Sequence, residues 1–314
     1  MAYDKMITRE GTEGLQADQK IVDEIIKGVT EGSTILPLMR KLPNMTGKTA
    51  SLPVLSSLPE AYWVNGDSGL KQTTSAMWKN KRITAEEIAV VVPIPENVLN
   101  DAEYDIWAEI KPLIVQEFYK KIDEAIITGE NKPAGFRDGL IPSIVSAGNT
   151  LPYDAQQTTY ERISDAMSKV EEDGFDVNGI VGGIGLKGEF RKGLVDATGQ
   201  PLANSEITEL PRKYARNGAW DATLADFVVG DFTQAVYAIR SDIEFKVFDT
   251  GVVTDAEGNI IYNLLQQDMV ALRCTMRLGW ELPNPVTALN ADDATRFPFA
   301  LAEPKENEEN EDNE

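Results

Sequence analysis

An α+β fold is predicted by three features of the chain. Val270, Leu272, Cys274, Met276, Leu278, Trp280 and Leu282 alternate with Ala271, Arg273, Thr275, Arg277, Gly279 and Glu281, a period-two run that makes a long strand with one buried face. Ile106, Ile110, Leu113, Ile114, Phe118, Ile122, Ala125 and Ile126 recur at helical spacing and predict one long helix over about 102–128. Between these two, helix-like and strand-like segments alternate, as in a mixed α/β region. At 314 residues there is chain enough for about two packed units.

From the N-terminus, Ile21, Val22, Ile25, Ile26 and Val29 predict a short amphipathic helix, which Gly28, Gly32, Pro37 and Pro43 keep from growing. The following STILPLMRKLPNMTGKTASLPVL is extended and partly apolar, but its prolines bar it from the centre of a sheet, so it reads as an arm leaning on something else. Two extended segments, TASLPVLSSLPEAYWV and LKQTTSAMWKNKRI, flank NGDSG, whose glycines and Asx residues suit a tight reversal. The result is a long hairpin carrying Tyr62, Trp63 and Trp78. A two-stranded hairpin is marginal alone, so its aromatics call for burial, against its own subunit or against another chain.

EIAVVVPI reads as a strand. In the long helix that follows, Asp101 or Asp105 is placed to cap the start, Gly129 to end it, and Pro112 to kink it or mark its first turns. Further on, TYERISDAMSKVEEDG reads as helix, DVNGIVGG as strand, IGLKGEFRKGLVD as helix and DFVVGD as strand. TQAVYAI then reads as a short helix, and IEFKVF and IIYNLL as strands around TDAEGN. Cys274 lies on the apolar face of the alternating strand, as core filler rather than nucleophile.

Composition closes several functional classes. With 0 His and 1 Cys, histidine triads, imidazole bases, disulfide frameworks and multi-cysteine metal clusters are excluded. No apolar run approaches the roughly 20 residues that cross a bilayer, and the N-terminal residues lack the pattern of a signal peptide, so a cytoplasmic site of synthesis and no membrane partner are expected. Lys+Arg 30 against Asp+Glu 51 gives a net charge of −21, which repels phosphate backbones. Part of that charge sits in the terminal EPKENEENEDNE, which reads as a solvated, disordered tail.

Two motifs invite a nucleotide reading. Gly183, Gly185 and Gly188 in GGIGLKG have dinucleotide-loop spacing after a strand and before a helix. The second parallel strand ending in an acid about 20 residues on is missing, because DATGQPLANSEITELP has two prolines and no apolar run before Glu206. Gly47, Lys48 and Thr49 imitate the end of a phosphate loop whose first glycine is replaced by Leu42. Adjacent acids such as Glu86 with Glu87, or Glu171 with Glu172, do not face one another on a helix, so no acid–base pair emerges. No catalytic residue, cofactor or metal site is expected.

Taken in order, AYWVNGDSG, SAMWKNKRITAEEIAVVVPIPENVL, GDFTQAVYAI and ALRCTMRLGWELPNP resemble the major capsid proteins of tailed bacteriophages with the Hong Kong 97 fold, over about Gly14 to Asn290. That resemblance implies an N-terminal arm over 1–49, an extended hairpin (the E-loop) over 50–82, and a P-domain over 83–135 with its spine helix. It further implies an A-domain over 136–265, a return to the P-domain over 266–300, and the acidic tail over 301–314. It implies a non-enzymatic structural protein that assembles through hexamers and pentamers into an icosahedral shell, built in the bacterial host cytoplasm around double-stranded DNA. Contacts between subunits are then expected at Ile21, Ile25, Leu36, Leu38, Tyr62, Trp63 and Trp78. Because the arm begins almost at Met1, scaffolding is expected from a separate protein, alongside a portal. Some relatives form lysine–asparagine cross-links; Lys71, Lys79 and Lys81 lie in or near the hairpin and Asn284 and Asn290 late in the chain, but their setting looks solvated and non-covalent shells are expected. The competing readings are an encapsulin-type compartment shell and, resting on the three glycines, a nucleotide-dependent enzyme.

Overall fold

The computed structural model describes residues 32–64, 71–102, 104–192, 207 and 209–305. The helix expected over 15–29, the reversal NGDSG and the tail beyond Lys305 lie outside the described residues. In chain order the elements are β1 (Arg40–Lys41), β2 (Thr49–Ser57), β3 (Met77–Thr84), β4 (Glu86–Pro95), α1 (Glu96–Asp101), α2 (Ile106–Ile127), α3 (Leu140–Ala147) and β5 (Thr150–Leu151). There follow α4 (Thr159–Glu172), β6 (Gly179–Gly183), α5 (Leu186–Lys192), β7 (Arg212–Ala215), β8 (Phe227–Gly230) and β9 (Val236–Phe248). The last are β10 (Val252–Thr254), β11 (Ile260–Asn263), β12 (Met269–Glu281) and β13 (Phe299–Ala302). Helices and strands are thus mixed, as the sequence predicts. One four-stranded sheet has the order β1-β9-β12-β4.

The described chain divides into two compact units. One contains Glu87–Tyr119 and Arg240–Leu278. There, Ile94, Val98 and Ile106 form a buried cluster with Trp107 and Ile110 against it, and Tyr262, Leu264, Met269 and Ala271 form another under the β10–β11 hairpin. The start of α2 is set by Asp105, whose Oδ1 accepts from the backbone N–H groups of Trp107 (3.0 Å) and Ala108 (3.2 Å). That cap moves the start of the helix from the expected 102 to Ile106, and α1 precedes it as a separate turn. Pro112 is accommodated inside α2. Leu113, expected on the buried face, is exposed: it sits about 100° around the axis from Ile114, which is buried.

The other unit contains Ser33–Glu86, Lys120–Ile239 and the chain from Gly279. Its five-stranded sheet has the order β5-β13-β8-β6-β7. Helix α4 lays Ile163, Ala166 and Val170 against Ile180, Phe227, Val229, Ala300 and Ala302. A capping box starts α4: the Thr158 hydroxyl accepts from the Glu161 N–H, and the Glu161 carboxylate accepts from the Thr158 N–H, which holds that carboxyl below its usual range. Gly230 permits a close approach, since a Cβ there would stand 2.4 Å from the Pro298 carbonyl and 2.3 Å from Phe299 Cδ1. Gly129 ends α2 at φ 74°, as its place predicts. The last turns of α2 are buried nearly all round, at Ile122, Asp123, Ala125, Ile126 and Ile127.

Two assignments need correction. TQAVYAI is not a helix; Thr233 to Ala235 form a turn, and Val236 to Ile239 begin β9, a continuous strand of 13 residues. Val236, Tyr237 and Ile239 suit pleated backbone, and Val236 and Ala238 enter the core at period two. The tail does not start at 301: Leu301 and Ala302 are buried in β13, which pairs with β8 and β5, so the expected division at 300 falls inside a core strand. Glu303 extends the tie, donating its N–H to Leu151 (2.8 Å) and accepting at its carbonyl from Arg162 (2.6 Å).

Candidate assembly surface

Strands β2 and β3 form an antiparallel ribbon in which Ala50 opposes Ile83, Leu52 opposes Lys81, Val54 opposes Lys79 and Leu55 opposes Trp78. Opposed residues share a face, so the ribbon has two unlike sides. Ile83, with Ala50 and Leu52 beside it, packs onto Met45, Ala85, Val236 and Ala238 and roots the ribbon in its own unit. The opposite side carries Ser51, Pro53, Arg82 and Trp78 into solvent. The structure thus divides what the sequence joins: the root is satisfied by its own chain, and the far end is not.

At that far end Trp63 has a relative exposure of 101% and Trp78 of 65%, and Tyr62, Val64 and Met77 are exposed with them. A single exposed apolar residue is ordinary, but five large ones on one projection mark a surface built for contact. Leu58, Val64 and Met77 are exposed contact candidates that sequence reasoning does not single out; for Val64 and Met77 the available signal is adjacency to Trp63 and Trp78. The approach to the tip is ordered by Tyr62, whose hydroxyl donates to Glu60 Oε2 (2.6 Å), and by Glu60, whose N–H donates to Thr74 Oγ1 (2.8 Å). The Glu60 carboxylate pushes the Tyr62 phenol above its ordinary pKa, first by that hydrogen bond and then by its charge.

The other expected contact residues fare differently. Ile21 and Ile25 lie outside the described residues. Leu36 is a correction, since it is buried at 8% exposure within its own chain along with Ile35 and Met39, and Leu38 is half-buried. A buried knot explains why this stretch is held. Asp123, fully buried on α2, accepts from Ser33 Oγ, from the Thr34 N–H (2.6 Å) and from Asn217 Nδ2 (2.8 Å). Desolvation pushes its carboxyl above the usual value, and the three donors pull the other way.

The nucleotide reading can be tested on geometry. Gly183 and Gly185 border a cavity of about 530 Å³ lined also by Tyr153, Tyr160, Arg162 and Trp220. A second parallel strand does stand beside β6, namely β7, but it comes later than the motif requires and is followed by Arg216 and Asn217 instead of an acid. Glu189 and Asp226 line the cavity, and Asp226 engages Arg162 at 2.7 Å, an arrangement that disfavours a phosphate. Lys79 pairs with Asp293 at 3.3 Å with both side chains more than half exposed, a wet setting for one of the two lysines that share a cleft with Asn284. Cys274 is buried, and burial pushes its thiol up. Among the described residues no cluster of His, Cys, Asp or Glu could hold a metal ion, and no helix is long and apolar enough to cross a membrane.

Residues 13–288 match the model of the phage capsid family. The chain belongs to this family. A curated relative, the major capsid protein of Staphylococcus phage 80alpha, is 28% identical over 267 residues, 81% of this chain and 78% of that one. A solved chain from Microbacterium phage Oxtober96 is 35% identical, with a TM-score of 0.80 over 96% of this chain and 100% of that one. A chain from the capsid of a native GTA particle, computed with C5 symmetry, shares the fold at 15% identity and a TM-score of 0.65, over 94% of this chain and 97% of that one. The phage capsid chain is therefore a structural head shell protein and a component of the virion capsid.

Proposed function

We propose that this phage capsid chain is a major capsid protein of the Hong Kong 97 type, building an icosahedral shell of hexamers and pentamers around double-stranded DNA. On this reading the β2–β3 ribbon is the E-loop, α2 is the spine helix of the P-domain, β12 returns to that domain, and 136–265, which supplies strands β5 to β8 of the five-stranded sheet, is the A-domain. The N-terminal arm spans 1–49, and among its described residues Ser33 and Thr34 are held by Asp123. A separate scaffolding protein and a portal complete the assembly in the host cytoplasm. DNA is enclosed without sequence-specific binding.

The observation that carries the reading is the hairpin rooted on Ile83 with Trp63 wholly exposed at its tip. Such a projection costs solubility unless a neighbour covers it, and a closed shell covers it on every copy. Electron micrographs of the purified, concentrated protein, with and without the products of its neighbouring genes, test this. Rings, tubes or closed shells support the reading; a monomer at every concentration and in every mixture overturns it.

A further inference from the structure

A shell gives no role to the GGIGLKG run, yet two of its glycines are fixed by packing. A Cβ on Gly182 would stand 2.7 Å from Leu186 Cδ2 and 3.0 Å from the Asp226 carbonyl oxygen, and one on Gly183 would stand 3.1 Å from Trp220 Cδ1. The indole of Trp220 therefore lies close on the backbone of β6, and its N–H donates to the Ala225 carbonyl (2.9 Å). Beside it opens the cavity of about 530 Å³, wholly within the unit that contains Lys120–Ile239 and the chain from Gly279. Small-molecule sites commonly span about 300–1,000 Å³.

The lining of that cavity is of two kinds. Trp220, Tyr153 and Tyr160 supply aromatic carbon. The Tyr160 hydroxyl donates to the Phe190 carbonyl (3.4 Å), and Phe190 braces its ring edge-on at 5.5 Å. The charged residues are Arg162 and Lys305 against Glu189 and Asp226, two cations and two carboxylates, so the lining carries no net charge. Arg162 is 5% exposed and firmly held: Nη1 donates to Asp226 Oδ2 (2.7 Å), Nη2 donates to the Glu303 carbonyl (2.6 Å), and the guanidinium stands 4.9 Å from the centre of the Tyr153 ring. It engages one oxygen of Asp226, whose side chain keeps 35% of its exposure. Gln157 and Thr158 add neutral polar groups to the rim.

We infer that this cavity is a binding site for a neutral sugar of one or two rings. The balanced charge decides against a phosphate or a polyamine, because either would give up its hydration without meeting a surplus of the opposite sign. A wholly apolar ligand is disfavoured too, since it would cut Glu189 and Asp226 off from water and leave them unpaired. A sugar satisfies both kinds of lining. Its C–H groups rest against the electron-rich faces of aromatic rings, and each hydroxyl can donate to a carboxylate while accepting from Lys305. The fixed Arg162 and Trp220 mean that little has to be ordered on binding. The inference goes beyond the shell reading and does not depend on it, because the site lies within one unit of a single chain.

The purified full-length chain is titrated with cellobiose, maltose and N,N′-diacetylchitobiose, with binding read by calorimetry and by magnetisation transfer from protein to the sugar C–H protons. At least one of the three is expected to bind with a Kd of about 10 μM to 1 mM, and an excess of spermidine or inorganic phosphate is expected not to displace it. Trp220→Ala is expected to weaken binding by about tenfold or more. Trp220 is itself packed, so a second variant is placed at Ala222, an exposed residue of the lining; Ala222→Trp fills the cavity and is expected to abolish the transfer with an unchanged circular dichroism spectrum. Sedimentation with purified bacterial cell-wall glycan separates the sources. Retention that the free disaccharide reverses assigns the sugar to the wall, binding of soluble sugar without retention assigns it to free saccharide, and both uphold the site. Absence of binding by all three disaccharides at about 10 mM, binding that Ala222→Trp leaves intact, or displacement by spermidine or phosphate overturns the inference. None of these results bears on shell formation, which the micrographs read separately.

Discussion

Replacing Trp63 with alanine separates assembly from folding, because a side chain with 101% relative exposure supports nothing in its own subunit. Covering a tryptophan removes about 200 Å² from water, worth about 5 kcal/mol at ~25 cal/mol per Å². Ordering Trp63 and the neighbouring Tyr62 and Val64 costs about 0.5–1.5 kcal/mol per side chain, leaving about 0.5–3.5 kcal/mol for each hairpin contact, which reaches the range of an interface hot spot at its upper end. The variant is therefore expected to weaken pairwise association about 2- to 400-fold. Light scattering against protein concentration, with shells checked by microscopy, gives the critical concentration. Thermal melting of the unassembled subunit should be unchanged within about 0.5 kcal/mol, as for any exposed site. A critical concentration equal to that of the parent protein refutes the claim that the tip is covered by a neighbour; a lowered melting temperature refutes the claim that it is free in the subunit.

Three further outcomes follow from particular contacts. Asp123→Ala strands the donors of Thr34 and Asn217 and should cost about 2–4 kcal/mol, read by urea unfolding. Because burial raises the Asp123 pKa in the folded state, its contribution is fully present below the ordinary value of 3.8 and is lost as the pH rises through the folded value. The parent should therefore gain stability relative to Asp123→Asn as the pH is lowered through that window, and a difference independent of pH would contradict the burial argument. Ending the chain after Lys305 should leave folding intact, whereas ending it after Ala302 removes both hydrogen bonds of Glu303 and should cost about 1–3 kcal/mol. Mature particles boiled in detergent should run as one band near 34.6 kDa, since Lys79 lies in solvent against Asp293 rather than in the dry pocket that amide formation needs; a ladder that survives boiling and reductant would refute this.

Much of the architecture was legible because its signals are local. The alternation from Val270 to Leu282 needs only one buried face, the cap at Asp105 and the glycine at 129 are set by their own turns, and the aromatics of the hairpin announce themselves by type. Other features depend on partners distant in sequence. The VYAI of TQAVYAI is strand because β9 runs on through IEFKVF and enters a four-stranded sheet, a choice that tertiary pairing makes and short-range spacing does not. Leu301 and Ala302 looked like the approach to an acidic tail, but they fill the gap between β5 and β8. Leu36 looked like an arm residue, yet the stretch around it is fastened by a carboxylate 89 residues away from Thr34. The role of the hairpin was legible as a surplus of apolar area, but only the register of β2 against β3 shows which face is rooted and which is offered.

The most direct test of the central claim is a cryo-electron microscopy map of particles assembled from this chain, read at the tip of the hairpin. The account predicts closed shells in which the indole of Trp63 is covered by a neighbouring copy and the ribbon from Thr49 to Thr84 crosses a subunit boundary. A particle in which Trp63 remains in solvent, or folds back onto its own subunit, would contradict it.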